Sequence, residues 1–415
     1  MPVELTSDGR HVRTSTGSLV RVSDASADKC GIPEHLLSLA RRLPAACGER
    51  PSGIPDDLWR TLYEYQRRSV CLMVNRFHGR CLLAHDMGLG KTLQAVAAMH
   101  HYGGPVLVLC PAFLRCNWEH ELSAWGVCDA HVQSYDSLRT RSPPARSWSL
   151  VVCDESHYLK QREAQRTQAA LPLLHVCEHV LLLSGTPCPN RPEELFAPMH
   201  ALRPSLVPSF EWFARRYCNA RRTRFSAFDT SGSSRRGELA WFLRRAFMLR
   251  LRKQDVLNDL PSKTCSVRYV RSSSESSMVR LAELSEELDS CETPSRQKAL
   301  VGEMFRCTCA AKRESAVSYV MERAQQCPVL AFAHHRETLD ALQSACERLN
   351  LRVERIDGST PVQERQAVVE RVQSGDSVDV CCFSMGAAGV GLTLTALHRV
   401  VFMELPWNPA LLRQC

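Results

Sequence analysis

The 415-residue sequence lacks any long apolar run, and its first residues carry no apolar leader segment. No stretch approaches the roughly 20 consecutive apolar residues of a membrane-spanning helix. Residues 1–13 also lack the apolar core of a signal peptide. We therefore expect neither membrane association nor export. Hydrophobic residues make up 44% and charged residues 23%, as in ordinary globular proteins, and the length allows two or three domains.

Cysteine is abundant, at 20 residues, but the spacing typical of structural zinc sites is missing. No Cys-x-x-Cys pair occurs, and the closest neighbours are Cys307 with Cys309 and Cys381 with Cys382. Others, such as Cys110, lie in apolar runs where a free thiol behaves as a small hydrophobic side chain. We expect no structural zinc, and reduced thiols in a cytosolic or nuclear compartment.

Lysine is scarce, because only seven of the 52 basic residues are lysines and the rest are arginines. The net charge of +8 has the sign expected for a protein with a polyanionic partner. An arginine bias can reflect genome composition as easily as phosphate binding. The charge balance is therefore only weak evidence for a nucleic-acid partner.

The most informative stretch, residues 81–92, predicts a short buried strand, a glycine turn and the start of a helix. Gly88 and Gly90 allow the backbone to turn tightly and to direct its N–H groups at an anion. Lys91 supplies a charge for the β- and γ-phosphates, and the Thr92 hydroxyl suits Mg²⁺. The candidate nucleotide-binding residues of this loop are Met87, Gly88, Leu89, Gly90, Lys91 and Thr92.

The match to a phosphate loop is imperfect, because the first glycine of the longer pattern would fall at His85. The alternative is a strand–turn–helix junction in which glycine and lysine are incidental. A partner motif further along the chain favours a nucleotide site.

Short apolar runs at 106–110, 149–153 and 180–183 alternate with helical stretches. This alternation is typical of a parallel sheet covered by helices on both faces. Ligands of such sheets bind at the carboxyl ends of the strands. The residues that follow each run are therefore the candidates for a binding site.

Asp154 and Glu155 follow the second of these runs. There Asp154 is suited to Mg²⁺, and Glu155 to orienting or deprotonating the attacking water. An acidic pair can also simply cap the next helix, but the phosphate loop upstream favours catalysis by Lys91, Asp154 and Glu155. Ser184, Gly185 and Thr186 close the next run and suit a nucleotide-sensing switch, although this is also ordinary turn chemistry.

The order of Gln66, residues 88–92, residues 154–157 and residues 184–186 resembles that of superfamily-two helicase ATPases. Within that superfamily, residues 86–94 and 248–263 are similar to signatures of the Swi/Snf-type ATPases. One branch of these ATPases, the annealing helicases, includes the HARP type and the zinc-finger RAN-binding-domain type. The chain resembles this branch at residues 154–160, 185–196, 216–220, 231–239 and 332–335. The resemblance covers roughly 55–415, and His85 departs from it where the family usually has an acid.

The resemblance implies an α/β fold of two RecA-like lobes with parallel sheets covered by helices. We expect a loosely packed, partly disordered lead-in at 1–53 and a first lobe at 54–250. An arginine-rich helical protrusion would occupy 203–250. The second, incomplete lobe would span 251–415, with a helical insertion at about 270–325. Within that insertion, Lys312 and Arg313 are candidate DNA-backbone contacts.

Two helical predictions concern the beginning of the chain. Residues 34–42 form a short helical stretch, and Leu58, Leu62 and Tyr65 recur at helical spacing. These three predict a helix that Asp56 would cap and that ends at Gln66. In the second lobe we expect strands at 329–333, 352–356 and 378–383 and helices at 337–349 and 362–373.

The resemblance also implies roles for single residues, with ATP and Mg²⁺ as cofactors and duplex or forked DNA as partner. Nucleotide contacts are expected at Gln66, on adenine, and at Gly389 and Gly391. Coupling or DNA contacts are expected at His157, Ser184, Gly185, Thr186, Arg215, Arg216 and Asp357. Arginines interleaved with aromatic residues suit nucleic acid, but a solvated basic helical face is an equal alternative for any one arginine.

After residues 407–415 the family continues into an Asp-Arg-x-His-Arg-x-Gly-Gln segment whose arginines reach the γ-phosphate. Such an arginine finger accelerates phosphoryl transfer roughly 10³–10⁵-fold. We therefore expect this chain to bind ATP and to hydrolyse it weakly, as a fragment or a truncated gene product would.

The first functional hypothesis is a nuclear, DNA-dependent ATPase that translocates on DNA and rewinds or remodels forks in replication-stress repair. The alternative is a nucleotide-gated DNA-binding protein with little turnover. An RNA helicase is disfavoured, because the Swi/Snf-like stretch 248–263 points to duplex DNA. Replication and repair proteins stay open as partners.

Overall fold

The computed structural model describes residues 3–13, 19–25, 32–41, 48–188, 190–221, 228–257, 263–272, 274–374, 378–388, 394, 396–406 and 412. The chain divides into two compact units, Met1–Leu260 and Pro261–Cys415. The division lies later than the predicted boundary after residue 250. The physical reason is that the backbone of residues 249–253 is hydrogen-bonded to residues 84–86.

The first unit is built on a six-stranded parallel sheet in the order β6-β5-β7-β8-β4-β9. Its strands are β4 (Arg80–Leu83), β5 (Val106–Cys110), β6 (Ala130–Ser134), β7 (Leu150–Cys153), β8 (His179–Leu183) and β9 (Met248–Leu249). Every residue of β5 and β7 is buried. Continuous apolar runs form such strands because helices cover both faces of the sheet. The predicted α/β fold with parallel sheets is confirmed.

Helices surround this sheet and include several short ones. They are α1 (Glu34–Arg41), α2 (Asp56–Thr61), α3 (Glu64–Asn75), α4 (Lys91–Tyr102), α5 (Arg115–Ala124), α6 (Tyr135–Leu138), α7 (Gln165–Val176), α8 (Phe196–Leu202), α9 (Phe210–Tyr217), α10 (Arg236–Ala246) and α11 (Lys253–Val256). Short 3₁₀ helices lie at Val22–Asp24, Ala112–Leu114, Ser156–Leu159 and Pro192–Leu195.

The prediction of one helix ending at Gln66 is wrong, because the chain forms α2 and α3 with a break between them. Leu62 and Tyr63 both adopt extended backbone conformations. The Gln66 side chain accepts a hydrogen bond from the Tyr63 N–H at 2.8 Å and so caps the start of α3. Asp56 does not cap either helix; it lies in the first turn of α2 and pairs with Arg50.

The expectation of a loosely packed lead-in is wrong for its described residues. Strands β1 (Glu4–Leu5), β2 (His11–Arg13) and β3 (Leu19–Arg21) form an antiparallel sheet. Leu5, Val12, Leu36 and Leu37 are fully buried in the same core cluster as the helices of the predicted protrusion. Leu36 and Leu37 lie on the helix predicted near 34–42, whereas Leu5 and Val12 lie on strands too short to show a periodic pattern.

A buried carboxylate, Glu238 on α10, joins the lead-in to α9. Its two oxygens accept a bidentate pair of hydrogen bonds from Arg216 at 2.6 and 2.8 Å. The hydroxyl of Tyr217 and the backbone N–H of Leu5 also donate to it, at 2.9 and 2.7 Å. With four donors, the charge of Glu238 is compensated inside the protein.

The second unit carries a four-stranded parallel sheet in the order β11-β12-β10-β13. Its strands are β10 (Val329–Ala333), β11 (Val353–Ile356), β12 (Val380–Ser384) and β13 (Arg399–Phe402). Its helices are α12 (Glu275–Ser290), α13 (Pro294–Ala324), α14 (Arg336–Arg348), α15 (Val362–Gln373) and α16 (Met385–Ala388). The strands and helices predicted here are confirmed to within two residues at each end.

The start of α14 is held by Glu404, which follows β13. Its buried carboxylate accepts hydrogen bonds from the backbone N–H groups of His334 and His335, from the His335 ring and from the Thr338 hydroxyl. These donors hold the pKa of Glu404 below its usual value against the effect of burial, which raises it. The helix dipole favours a negative charge at this position.

In the described part of the chain, none of the helices combines the length and the apolar character that crossing a bilayer requires. The described cysteines carry free thiols, and Cys110, Cys153 and Cys381 are buried.

Replacing Glu238 with Gln should destabilise the first unit by about 3 kcal/mol, because Arg216 would be left without its buried counter-charge. Urea denaturation followed by tryptophan fluorescence measures this loss. The matched control is Glu211→Gln, which removes the partner of Arg215. That pair is exposed, with 65% and 63% of the side-chain surfaces accessible. The control should cost less than about 1 kcal/mol. Equal losses in the two variants would contradict the structural role of the buried pair.

Candidate active site

Three neighbouring strands, β7, β8 and β4, end at the same edge of the first sheet, and most of the predicted site residues follow them. Residues 85–92 follow β4, Asp154 and Glu155 follow β7, and Ser184 follows β8. Parallel strands bring their carboxyl ends together. Side chains from three distant parts of the sequence therefore share one site.

The glycine loop between β4 and α4 has the backbone shape of an anion site. Gly88 and Gly90 adopt left-handed conformations, with φ of 80° and 66°. Helix α4 then begins at Lys91, and its first-turn N–H groups have no partners within the helix. These groups and the helix dipole favour a phosphate at this position.

The loop is held from inside by the backbone carbonyl of Leu89. It accepts hydrogen bonds from the side-chain amides of Gln66, at 3.2 Å, and Gln94, at 2.9 Å. Gln66 thus uses one end of its amide on the loop and the other on Tyr63. Its contact with adenine stays a prediction. A Cβ atom at Gly90 would lie 2.3 Å from Nε2 of Gln66, so the approach requires glycine.

His85 is buried and joins three segments. Its Nδ1 accepts the N–H of Leu251 at 3.1 Å, so its Nε2 carries the proton and donates to Ser69 Oγ at 2.9 Å. Ser69 in turn donates to the carbonyl of Tyr65. Burial and the nearby Lys91 charge lower the pKa of His85 to about 4. The charge of Arg250 also lowers this pKa, whereas the charge of Asp86 raises it. The imidazole is therefore neutral at physiological pH.

The Lys91 side chain contacts the backbone of the residues that lead into the glycine loop. Its ammonium donates to the backbone carbonyl of His85 at 3.0 Å and lies 3.5 Å from that of Asp86. Burial lowers the pKa of Lys91, and the negative charges of Glu155 and Asp154 oppose that shift. A partly buried cation near two carboxylates and a glycine loop is suited to an anionic phosphate chain.

Asp154 is oriented by two residues that sequence analysis missed. The indole N–H of Trp118 donates to one carboxylate oxygen at 2.9 Å, and the hydroxyl of Tyr135 donates to the Asp154 backbone carbonyl at 2.7 Å. The other carboxylate oxygen accepts the Glu155 N–H at 2.8 Å. Burial and the Glu155 charge raise the pKa of Asp154 to about 6.

Glu155 adopts a left-handed backbone conformation, with φ of 47°, which is unusual for a residue other than glycine. Its carboxylate lies 3.1 Å from Nδ1 of His157. The same ring nitrogen lies 3.3 Å from the hydroxyl of Ser184. His157 thus connects the acidic residue after β7 with the turn after β8.

The turn after β8 lies directly against the glycine loop. Ser184 is buried, and its hydroxyl accepts the N–H of Thr186 at 3.2 Å. A Cβ atom at Gly185 would lie 2.7 Å from Cγ of Met87 and 3.7 Å from Nζ of Lys91. The turn is therefore packed against the loop at Met87.

Other predicted residues lie away from this edge. Arg216 is engaged by Glu238 in the interior, so the predicted DNA contact is corrected to a structural role. Arg215 is exposed and pairs with Glu211. In the second unit, hydrogen bonds from the Ser359 hydroxyl and other donors hold the pKa of Asp357 at about 2.

Gly389 and Gly391 lie outside the described residues. Arg313 lies 3.8 Å from Glu337 in an ion pair on α13 and α14.

Sequence reasoning missed Gln94, Trp118 and Tyr135, and it undervalued His85. No local pattern identifies Trp118 or Tyr135, because each contacts Asp154 across the sheet edge. The only sequence feature that distinguishes His85 is that it stands where the family usually has an acid.

Comparison with protein families gives two matches. The SNF2-related domain matches residues 65–130 and 127–313, which together cover more than half of the chain. The helicase conserved C-terminal domain matches residues 311–415.

Among curated proteins, the chain is 32% identical over 415 residues to the "SWI/SNF-related matrix-associated actin-dependent regulator of chromatin subfamily A-like protein 1 homolog" of Caenorhabditis elegans. That alignment covers 92% of this chain and 60% of the relative. The chain is 32% identical over 404 residues to "DNA annealing helicase and endonuclease ZRANB3" of Bos taurus, covering 87% of this chain and 37% of that protein. The chain therefore spans about 40–60% of the length of such relatives.

Among solved structures, the "Sulfolobus solfataricus SWI2/SNF2 ATPase core in complex with dsDNA" is 22% identical, with a TM-score of 0.45. That similarity covers 87% of this chain and 85% of the other.

Replacing Gly90 with Ala should weaken ATP binding at least about tenfold and destabilise the first unit by about 1–3 kcal/mol. The new Cβ would displace the Gln66 amide, and Ala is strained at this positive φ. Gly103→Ala is the matched control, since Gly103 ends the same helix with φ of 60° but its Cβ would meet no atom within 4 Å. Calorimetric titration with ATP and thermal unfolding measure both effects. If both variants lost ATP affinity equally, strain rather than the Gln66 contact would be responsible.

The stability of the first unit should fall as the pH decreases from about 6.5 to 4, with a contribution of about 3 kcal/mol from His85. The folded state holds this ring neutral down to a pKa of about 4, so the unfolded state binds more protons in that window. In His85→Asn, whose amide can both donate to Ser69 and accept from Leu251, the fall should be smaller by that amount. Urea denaturation at several pH values measures it, and identical pH profiles would refute the assignment.

Proposed function

The chain belongs to the SNF2-related family of helicase-like ATPases, and from this premise we propose that it is an ATP-dependent translocase acting on duplex or forked DNA. The observation that carries the proposal is the convergence of the glycine loop, Lys91 and the Asp154–Glu155 pair at one sheet edge.

In the proposed reaction, Lys91 leaves the carbonyls of residues 85 and 86 and takes up the phosphate chain of ATP. The loop N–H groups around Gly88 and Gly90 cradle the same phosphates. Glu155 orients the water that attacks the γ-phosphorus and accepts its proton, a role that requires a carboxylate beside the reacting phosphate. The bond from the γ-phosphorus to the bridging oxygen breaks, and ADP and phosphate leave.

Magnesium would be held by the Thr92 hydroxyl and the Asp154 carboxylate. Both are hard oxygen donors of the kind that Mg²⁺ prefers, and Asp154 is fixed by hydrogen bonds from Trp118 and Glu155. The ion would neutralise charge on the phosphate oxygens. Trp118 keeps the carboxylate of Asp154 in one orientation.

His157 is proposed to couple the nucleotide site to the rest of the motor. Its ring bridges Glu155 and the Ser184 hydroxyl, and the turn at 184–186 contacts Met87 of the loop. A change at the γ-phosphate would therefore alter the turn after β8.

DNA rewinding, a role in replication-stress repair and a nuclear location belong to the proposal as well. They are supported by similarity to proteins named as a DNA annealing helicase and as chromatin regulators. Arg215 remains a candidate DNA contact, because its side chain is exposed.

Lys91→Ala should weaken ATP binding at least about tenfold and reduce DNA-stimulated phosphate release at least about a hundredfold, because it removes the cation proposed to bind the phosphates. Glu155→Gln should bind ATP normally and lose turnover, since only the water-activating carboxylate is changed. Lys298→Ala, which alters an exposed lysine on α13, is the control and should behave as the parent chain does.

Equilibrium binding of ATP and phosphate release with and without forked DNA are the measurements. Unchanged ATP affinity in Lys91→Ala would contradict the proposal. Binding without DNA-stimulated release in the parent chain would instead indicate a nucleotide-gated DNA-binding protein.

A further inference from the structure

We propose that Lys253 is a second phosphate-binding cation of the nucleotide site, held against the outside of the glycine loop. The inference rests on the proposed ATP-binding function and deepens it. Its ligand is the polyphosphate chain of a nucleoside di- or triphosphate.

The segment that carries Lys253 runs beside the entrance of the loop. Strand β9 pairs with β4, and the pairing continues beyond both strands. The N–H of Ala84 donates to the carbonyl of Leu249 at 2.7 Å, and that of Asp86 donates to the carbonyl of Leu251 at 3.0 Å. The Leu251 N–H donates to the His85 ring at 3.1 Å. The backbone of residues 249–251 is therefore fixed relative to the loop.

Asp86 then fixes residue 253 itself. One of its carboxylate oxygens accepts the backbone N–H of Lys253 at 3.1 Å. The other lies 3.4 Å from the guanidinium of Arg250. The start of α11 is thus attached to the residue that precedes Met87.

This attachment brings the Lys253 side chain onto the loop. A Cβ atom built at Gly88 would lie 3.1 Å from both Cε and Nζ of Lys253. Gly88 has φ of 80°, so it is one of the two left-handed glycines that form the anion-binding turn. The ammonium group therefore lies against the turn on which phosphate is proposed to bind.

The neighbouring carboxylates are engaged by arginines. Asp86 pairs with Arg250, and Asp255 lies 4.0 Å from Arg252. Within the part of the chain that the structure describes, no ion pair involves the Lys253 ammonium.

Lys253 and Lys91 are also close enough to interact, since the charge of Lys253 is one of the factors that lower the pKa of Lys91. Two cations beside one loop repel each other. A polyphosphate carrying several negative charges would relieve that repulsion.

The test uses the full 415-residue chain and the variants Lys253→Met, Lys253→Gln and Lys253→Arg. Met keeps the length of the side chain and removes its charge, and Gln is a second neutral replacement. Lys263→Met alters an exposed lysine further along the same stretch and serves as control. Calorimetric titrations with ATP, ADP and adenosine measure affinity, and thermal unfolding without nucleotide checks the fold.

Loss of a charge-assisted contact should weaken ATP and ADP binding about tenfold or more in both neutral variants, with adenosine binding unchanged. Lys253→Arg should stay within about threefold of the parent chain. Unchanged ATP affinity in the neutral variants, or an equal loss for adenosine, would overturn the inference. If the parent chain itself failed to bind ATP, the proposed function would fail first and this inference with it, so the two failures are distinguishable.

Discussion

The hydrogen bonds that converge on the carbonyl of Leu89 are the constraint on which the first unit's site depends. Gln66 approaches this oxygen from α3 and Gln94 from α4. A glycine loop directs its N–H groups outward, so its carbonyls must be held from inside. Since Gln66 also caps α3, the same amide sets the start of that helix and the shape of the loop. Glycine at position 90 is what allows this approach.

The parallel sheet brings together the side chains that are proposed to act in catalysis. Lys91, Asp154 and Glu155 arrive at one edge from different strand ends. Burial lowers the pKa of Lys91, and the negative charges of Glu155 and Asp154 oppose that shift. Burial and the Glu155 charge raise the pKa of Asp154. Trp118 holds one carboxylate, and the unusual backbone of Glu155 aims the other toward His157. Such local strain is typical of functional sites.

Arg215 and Arg216 show that adjacent residues of one type can have unrelated roles. Arg215 lies at the surface with Glu211, whereas Arg216 is buried and donates to Glu238. Glu238 also accepts hydrogen bonds from Tyr217 and from the lead-in strand. An arginine-rich stretch therefore predicts a positive charge. Whether a given arginine is exposed depends on whether its carboxylate partner lies at the surface or in the interior. Asp86 fixes Lys253 differently, by accepting its backbone N–H across 167 residues of sequence.

The sequence by itself determined the strands that continuous apolar runs mark, the glycine loop and the acidic pair, because each depends on residues close together in the chain. It also indicated the family through the order of these motifs. Only the tertiary structure decided that Leu62 and Tyr63 separate two helices, that the lead-in packs into the core, and that Arg216 is buried. It also revealed the hydrogen bonds of His85. Each of these depends on which distant partner satisfies a buried polar or apolar group, and burial is a property of the folded chain that spacing does not encode.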